Sequence, residues 1–324
     1  MPDAPVVSIV IPTHKRPQIL RKCLEHLERQ TIIDQIEVIV VNDGDELKID
    51  PSTGSTELVL SQPKDSPQAG SGGELRIPIR VLNVSPCHQG TARNCGVRLA
   101  SGRFVLFIGD DIFLASDACE KHVDILNSQF SILNSIAVLG FTTWDPACGI
   151  TPVMKWLERS GWQFGYPMLR PFVHSIIPSA IQHRFTYTSH ISLPTEIARQ
   201  FPFREDVTLY GWEDIEWGWR LAKAGVRLFY EPDAKALHHH HITLEDSLKR
   251  METLGRSAVV MEKLVPELEL VPKGWKKWKY RIAAMLPGMR GRHSKAFLKG
   301  IATGIHSQVF RQRFSRIGSK EDLM

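Results

Sequence analysis

Three apolar runs in the first third of the chain each stop at a polar turn, and this limits the fold more than any other feature. Val6 to Ile11 ends at Pro12-Thr13-His14, Glu37 to Val41 at Asn42-Asp43-Gly44-Asp45, and Phe104 to Ile108 at Gly109-Asp110-Asp111. A strand with one wet face alternates apolar and polar residues, whereas a near-continuous apolar run belongs to a strand covered on both faces, as in a parallel sheet between helices. Ile19, Cys23, Leu24 and Leu27 recur at helical spacing between the first two runs. Strand, helix and strand thus form a βαβ unit, whose crossover is right-handed. Ligands of such sheets bind beyond the carboxyl ends of the strands, where Thr13 and Asp43 are expected side by side. Asp43 also suits a plain Asp-Gly turn.

Ile79 to Val84, Ile136 to Phe141 and Val226 to Tyr230 read as further strands, and Pro51 to Glu74, rich in Ser, Gly, Pro and Gln, as a long mobile surface insertion. Gln89 to Leu99 reads as a helix with Thr91 as its N-cap, and Arg93 near its start suits either a phosphate or a local carboxylate. Asp110 and Asp111, adjacent acids after a glycine at a strand end, suit a hard cation such as Mg²⁺ or Mn²⁺ beside substrate phosphates, or else a helix cap. The stretch from Trp144 to Tyr187 is dense in aromatic residues, which serve either as core or as stacking surfaces for sugars and bases.

Tyr210-Gly211-Trp212-Glu213-Asp214-Ile215-Glu216 opens an amphipathic helix, with Trp212, Ile215, Trp219 and Ala222 expected on its packed face and Glu216 paired to Arg220. Glu213 and Asp214 fall in the first turn, as partners of the helix dipole or, facing a pocket, as a general base. Ala234 to Leu237 runs into His238-His239-His240-His241, whose alternation puts His238 and His240 on one face. Either is a candidate divalent-metal ligand beside Asp111. Thr243 and Asp246 have capping-box form ahead of a long packing helix that stops before Pro266.

The 324 residues, 43% hydrophobic, accommodate one large α/β domain with an appendage. We divide them into residues 1–265, with a nucleotide-binding half at 1–115 and an acceptor and catalytic half at 116–265, and a tail at 266–324. From Lys273 onward, 13 basic residues face 2 acidic ones, a balance of +11 within a net charge of +5, so residues 1–272 carry −6. In that tail Trp275, Trp278, Ile282 and Met285 form one apolar stripe and Phe297, Ile301, Ile305 and Val309 another. Basic amphipathic segments of this kind lie on anionic membranes; the alternative is packing on the body. No nucleic-acid recognition motif is present, so nucleic acid is not an expected partner. No run reaches the ~18 apolar residues of a membrane span, the first residues lack the pattern of a signal peptide, and the five cysteines are scattered without metal spacing. The expectation is a cytoplasmic protein, peripheral on the membrane if the tail binds it.

These residues resemble the family 2 glycosyltransferases of GT-A fold, from about Val6 to about Leu264. Gly211-Trp212-Glu213-Asp214-Ile215-Glu216 is similar to their Glu-Asp motif, also found in galactosyltransferase-like enzymes. The resemblance implies a Rossmann-like, mostly parallel sheet flanked by helices, a nucleotide-sugar donor, and inversion at the anomeric carbon. It implies Asp214 as base beside Glu213, donor contacts from Pro12, Thr13, Asp43, Arg93 and Asp110, and metal ligation by Asp111 with His238 or His240. Tyr187 to Leu193 resembles a segment bordering donor and acceptor. Gly109 departs from the pattern, standing where the Asp-x-Asp motif has its first acid, which implies fewer protein ligands. A UDP-sugar and a glycan or lipid-linked acceptor are the expected substrates. A non-catalytic nucleotide-sugar-binding protein and a nucleotidyltransferase are the alternatives; the loop Pro12 to Arg16 has no glycine, against the latter.

Overall fold

The structure, a computed structural model, describes residues 4–44, 48–50, 57–59, 77–133, 135–207 and 210–321. Its strands and helices in chain order are β1 (Val7–Thr13), α1 (Pro17–Leu27), β2 (Ile36–Asn42), a small antiparallel ribbon of β3 (Lys48–Asp50) and β4 (Glu57–Val59), and β5 (Ile79–Asn83). Most of the expected Pro51 to Glu74 insertion lies outside the described residues. Next come α2 (Gln89–Leu99), β6 (Phe104–Ile108), β7 (Ile112–Leu114), α3 (Ala118–Leu133), β8 (Ile136–Trp144), α4 (Pro152–Ser160), β9 (Ser175–Ile177), α5 (Ser179–Gln182), β10 (His190–Pro194) and α6 (Thr195–Gln200). The chain closes with α7 (Glu213–Lys223), β11 (Arg227–His238), α8 (Leu244–Leu264), α9 (Gly274–Met285) and α10 (Met289–Glu321).

The main sheet runs β5-β2-β1-β6-β10-β8-β11-β7, with β9 on the side of β11. Its first four strands are parallel, as the apolar runs require, and β8 is parallel to β11. β10 enters antiparallel between β6 and β8, and β7 closes the far edge antiparallel to β11. Alternate residues of β1 feed different cores. Ile9 and Ile11 pack with Leu20 and Leu24 of α1, while Val10 packs on the opposite face with Ala92 and Val97 of α2. This is the two-sided covering that a continuous apolar run predicts.

Two details differ from expectation. Helix α2 starts at Gln89 behind His88 and no side chain caps it, so Thr91 is not an N-cap. On α7 the buried face is Glu216, Trp217, Gly218 and Leu221 rather than Trp212, Ile215, Trp219 and Ala222. Trp217 lies flat on Phe203 at 4.7 Å and meets Phe107 edge-on, and this aromatic packing decides the face. Trp212 and Trp219 pack instead toward the carboxyl-terminal helices. The helix is apolar on two sides, a pattern that a single periodicity cannot resolve.

The tail divides as well. Phe297 and Ile301 of α10 are buried against Met251, Ala258 and Val259 of α8. The backbones approach so closely that a Cβ on Gly300 would stand 2.0 Å from Glu252 O. Phe297 and Ile301 of this second stripe therefore pack on the body, whereas Ile305 is exposed; Val309 lies outside the described side chains. Helix α9 has no buried residue.

Candidate active site

A cleft of about 500 Å³ opens at the carboxyl ends of β1 and β6 and beside the start of α7. Pro12, Arg93, Asp110, Asp111, Glu213, Asp214 and His238 line it, together with His240. Asp43 is not among the lining residues; its Oδ1 accepts from Cys87 N at 2.9 Å at the end of β2. Thr13 is buried and donates through Oγ1 to Asp110 Oδ2 at 2.7 Å. Thr13 and Asp43 are adjacent through the backbone, Asp43 N donating to Thr13 O at 2.9 Å.

Sheet register explains why the histidines meet Asp111. His238 pairs with Ile112, and His239 N donates to Asp111 O at 2.8 Å. From there His238 Nε2 lies 3.5 Å and His240 Nδ1 3.2 Å from Asp111 Oδ2. His239 turns the other way onto Asp145 at 2.6 Å, and His241 onto Cys148 O at 2.8 Å. The ligand atoms of Asp111, His238 and His240 lie within 4.8 Å of one another, a spacing that suits one shared cation. Burial pushes Asp111 up, but hydrogen bonds from the two imidazoles and the charge of Arg16 outweigh it and hold the carboxyl well below its usual range. A Cβ at Gly109 would come within 2.9 Å of Asp111 Oδ1, so the glycine leaves that carboxylate room.

Arg16 is the residue that sequence reasoning missed. Its Nη1 donates to Asp111 Oδ2 at 2.8 Å and its Nη2 to Asp110 Oδ1, so one guanidinium spans both acids. Nothing in Thr13-His14-Lys15-Arg16 tells which cation turns inward; the positive φ of Lys15 and the turn after β1 decide it. Asp110, fully buried, is engaged by Thr13 and Arg16 and so positions the loop after β1. Burial and the neighbouring Asp111 push its carboxyl up to about 6, against the pull of Arg16.

The acids of α7 are set by an unusual turn. Gly211 and Trp212 both have positive φ, 94° and 74°, which a tryptophan adopts only when its surroundings hold it there. Trp212 Nε1 donates to Leu254 O at 2.9 Å, and Ser257 Oγ donates to Gly211 O at 3.2 Å, so α8 pins the turn. Thr186 Oγ1 donates to Asp214 O at 2.8 Å from the other side. Asp214 is partly buried in the cleft; burial and the charge of Glu213 push its carboxyl up to about 7. Arg93, 4% exposed, leaves Nε and Nη1 without a partner, and Glu213 Oε2 is likewise unpartnered. Burial pulls the Arg93 pKa down while Glu213 and Asp214 oppose that. Tyr187, Thr188 and Ser189 also border the cleft.

Residues 8–49 match the model of Glycosyl transferase family 2. Over those residues the chain is similar to the family 2 glycosyltransferases. It is 27% identical over 255 residues to validoxylamine A glucosyltransferase of Streptomyces hygroscopicus subsp. jinggangensis (strain 5008), covering 73% of this chain and 56% of that one. It is 30% identical over 134 residues to the uncharacterised glycosyltransferase EpsJ of Bacillus subtilis (strain 168), covering 39% of this chain and 34% of that one. The chain thus spans between about a third and just over half the length of these relatives. Mannosyltransferase PcManGT from Pyrobaculum calidifontis, solved in complex with GDP-Man and Mn²⁺, superimposes with a TM-score of 0.56 at 15% identity, over 94% of this chain and 88% of that one. The fold of that enzyme is thereby shared along most of this chain.

Proposed function

We propose that this protein is an inverting glycosyltransferase that moves a sugar from a nucleotide-diphospho-sugar, with UDP-sugars favoured, to a hydroxyl of a glycan or lipid-linked acceptor in cell-envelope polysaccharide synthesis. The observation that carries this reading is the meeting of Asp214 with Asp111, His238 and His240 along one cleft, from segments far apart in sequence. Asp214, its pKa raised toward neutrality, takes the proton of the acceptor hydroxyl. The freed oxygen attacks the anomeric carbon opposite the leaving diphosphate, the bond from that carbon to the diphosphate oxygen breaks, and the centre inverts. A divalent cation held by Asp111, His238 and His240 supplies charge neutralisation on the leaving diphosphate. Two imidazoles beside one carboxylate suit Mn²⁺ better than Mg²⁺, which prefers an all-oxygen shell.

The unpartnered atoms of Arg93 and Glu213 are free to bind the donor's diphosphate and sugar hydroxyls. Pro12 and Thr13 border the nucleoside, and Asp43 accepts from a base N–H once released from Cys87. The acceptor approaches over residues 116–265. No helix among the described residues is long and apolar enough to cross a membrane. Residues 266–324 hold the protein on an anionic membrane from the cytoplasmic side through the exposed stripe of α9.

A panel of UDP- and GDP-sugars with Mn²⁺ or Mg²⁺, scored for binding and for nucleoside diphosphate release, tests the reading. Asp214→Asn retains donor binding and loses release by ~10²–10⁴-fold. Unchanged release in that variant removes Asp214 as the base, and binding without release in the parent protein makes the chain a binding protein.

A further inference from the structure

The cleft does not end at Asp214. Trp162, Arg184, Trp212 and Ile215 line both it and a second hollow of about 690 Å³, which continues toward α9 and α10. The hollow's far wall carries Trp275, Lys279, Tyr280 and Arg290. Arg184 and Arg290 both line this hollow together with Tyr280. Among the described residues neither arginine has an ion pair or hydrogen-bond partner. Lys279 Nζ sits 4.0 Å over the Trp275 ring, and of the hollow's two acids, Glu267 and Glu269, the second is paired to Lys276 at 3.3 Å. Two unpaired arginines lining one hollow form a receptor for an anion with several oxygens.

Trp275 both lines this hollow and starts the apolar stripe of α9. Trp275 and Trp278 are each 64% exposed and Met285 84% exposed, and Lys276, Lys277 and Arg281 stand beside them. An exposed apolar face of this size marks an interaction surface. Tryptophan among basic residues suits the boundary between anionic headgroups and acyl chains.

We propose that the hollow is the acceptor channel for a lipid-linked phosphate or diphosphate sugar. The sugar hydroxyl reaches Asp214, the phosphate lies between Arg184 and Arg290, and the lipid leaves over Trp275 along α9 into an anionic bilayer. The inference rests on the transferase reading above and names its acceptor class. The acceptor phosphate is not consumed: the hydroxyl loses its proton to Asp214, the new glycosidic bond forms, and the nucleoside diphosphate departs.

The test is calorimetric titration of the full chain, free of divalent cations, with geranyl diphosphate, inorganic pyrophosphate and geraniol. Geranyl diphosphate binds at least ~10-fold more tightly than either fragment, because only it engages both the arginines and Trp275. Arg290→Gln weakens it by ~10-fold, and Trp275→Ala reduces it to the level of pyrophosphate. Neither changes the Mn²⁺-dependent binding of a nucleotide-sugar. Equal affinity for geranyl diphosphate and pyrophosphate overturns the proposal, as does unaltered affinity in both variants or displacement of the probe by UDP. If geranyl diphosphate binds as expected while no nucleotide-sugar is ever cleaved, the transferase reading fails, and the acceptor assignment fails with it.

Discussion

Gly218→Ala separates the placement of the proposed base, Asp214, from the stability of the fold. Gly218 faces Thr186 across α7, and a Cβ there would stand 2.1 Å from Thr186 Oγ1 and 2.5 Å from its Cγ2. Ordinary contact needs roughly 3.5 Å, so α7 and the turn before β10 must part by about 1 Å. Thr186 Oγ1 is also the donor that holds Asp214 O, so the displacement falls on the turn that carries the base. A shift of about 1 Å costs ~10²-fold in rate. The stability effect is smaller: overpacking costs about 1–3 kcal/mol, and replacing a helical glycine with alanine returns about 1 kcal/mol. The variant therefore folds, melts a few degrees lower, and releases nucleoside diphosphate ~100-fold more slowly. Thr186→Ala in the same chain removes the two closest of the three clashing atoms, leaving Cβ at 2.8 Å, and recovers part of the rate. A Gly218→Ala protein that keeps its release rate within about threefold of the parent refutes the reasoning, because Asp214 would then not depend on this contact.

Three further outcomes follow from the site. The carboxyl of Asp214, raised to about 7, must be ionised to accept a proton, so the rate of nucleoside diphosphate release falls as pH drops through neutrality; a rate flat from pH 5 to 8 argues for another base. His238→Ala and His240→Ala each weaken Mn²⁺ binding by ~10-fold or more, read by titration of the metal-stripped protein, and unchanged affinity in both removes the histidines as ligands. Phe297→Ala, which empties a buried site between α8 and α10, lowers unfolding free energy by ~3–5 kcal/mol in denaturant titration. A loss below about 1 kcal/mol means that α10 lies outside the cooperative unit.

The parallel half of the sheet was legible because Ile9 to Ile11, Val38 to Val41 and Phe104 to Ile108 are apolar without interruption, and burial on both faces leaves that imprint. The placement of Asp111, Asp214 and the histidine run at element ends was legible because each ends or begins an element with a clear stop signal. Their convergence was expected from the family resemblance and not from any local pattern, since it depends on the antiparallel pairing of β7 with β11, and β7 is only three residues long. The inward turn of Arg16 was equally hidden, being fixed by one left-handed residue in a loop. The two-sided apolar character of α7 misled the periodicity, since Trp217 and Trp212 each have a partner on opposite sides of the helix. The separation of the tail into a packed α10 and an uncovered α9 follows from the glycines at 255, 300 and 304, which allow two backbones to touch.

Helix α8 is the mechanical consequence of that contact. On one side it carries α10 at backbone distance, and on the other its Leu254 carbonyl grips the indole that sets the angle of the base. A displacement of the carboxyl-terminal helices therefore has one continuous helix to cross before it reaches the turn at Trp212 and, just beyond it, the proposed base Asp214.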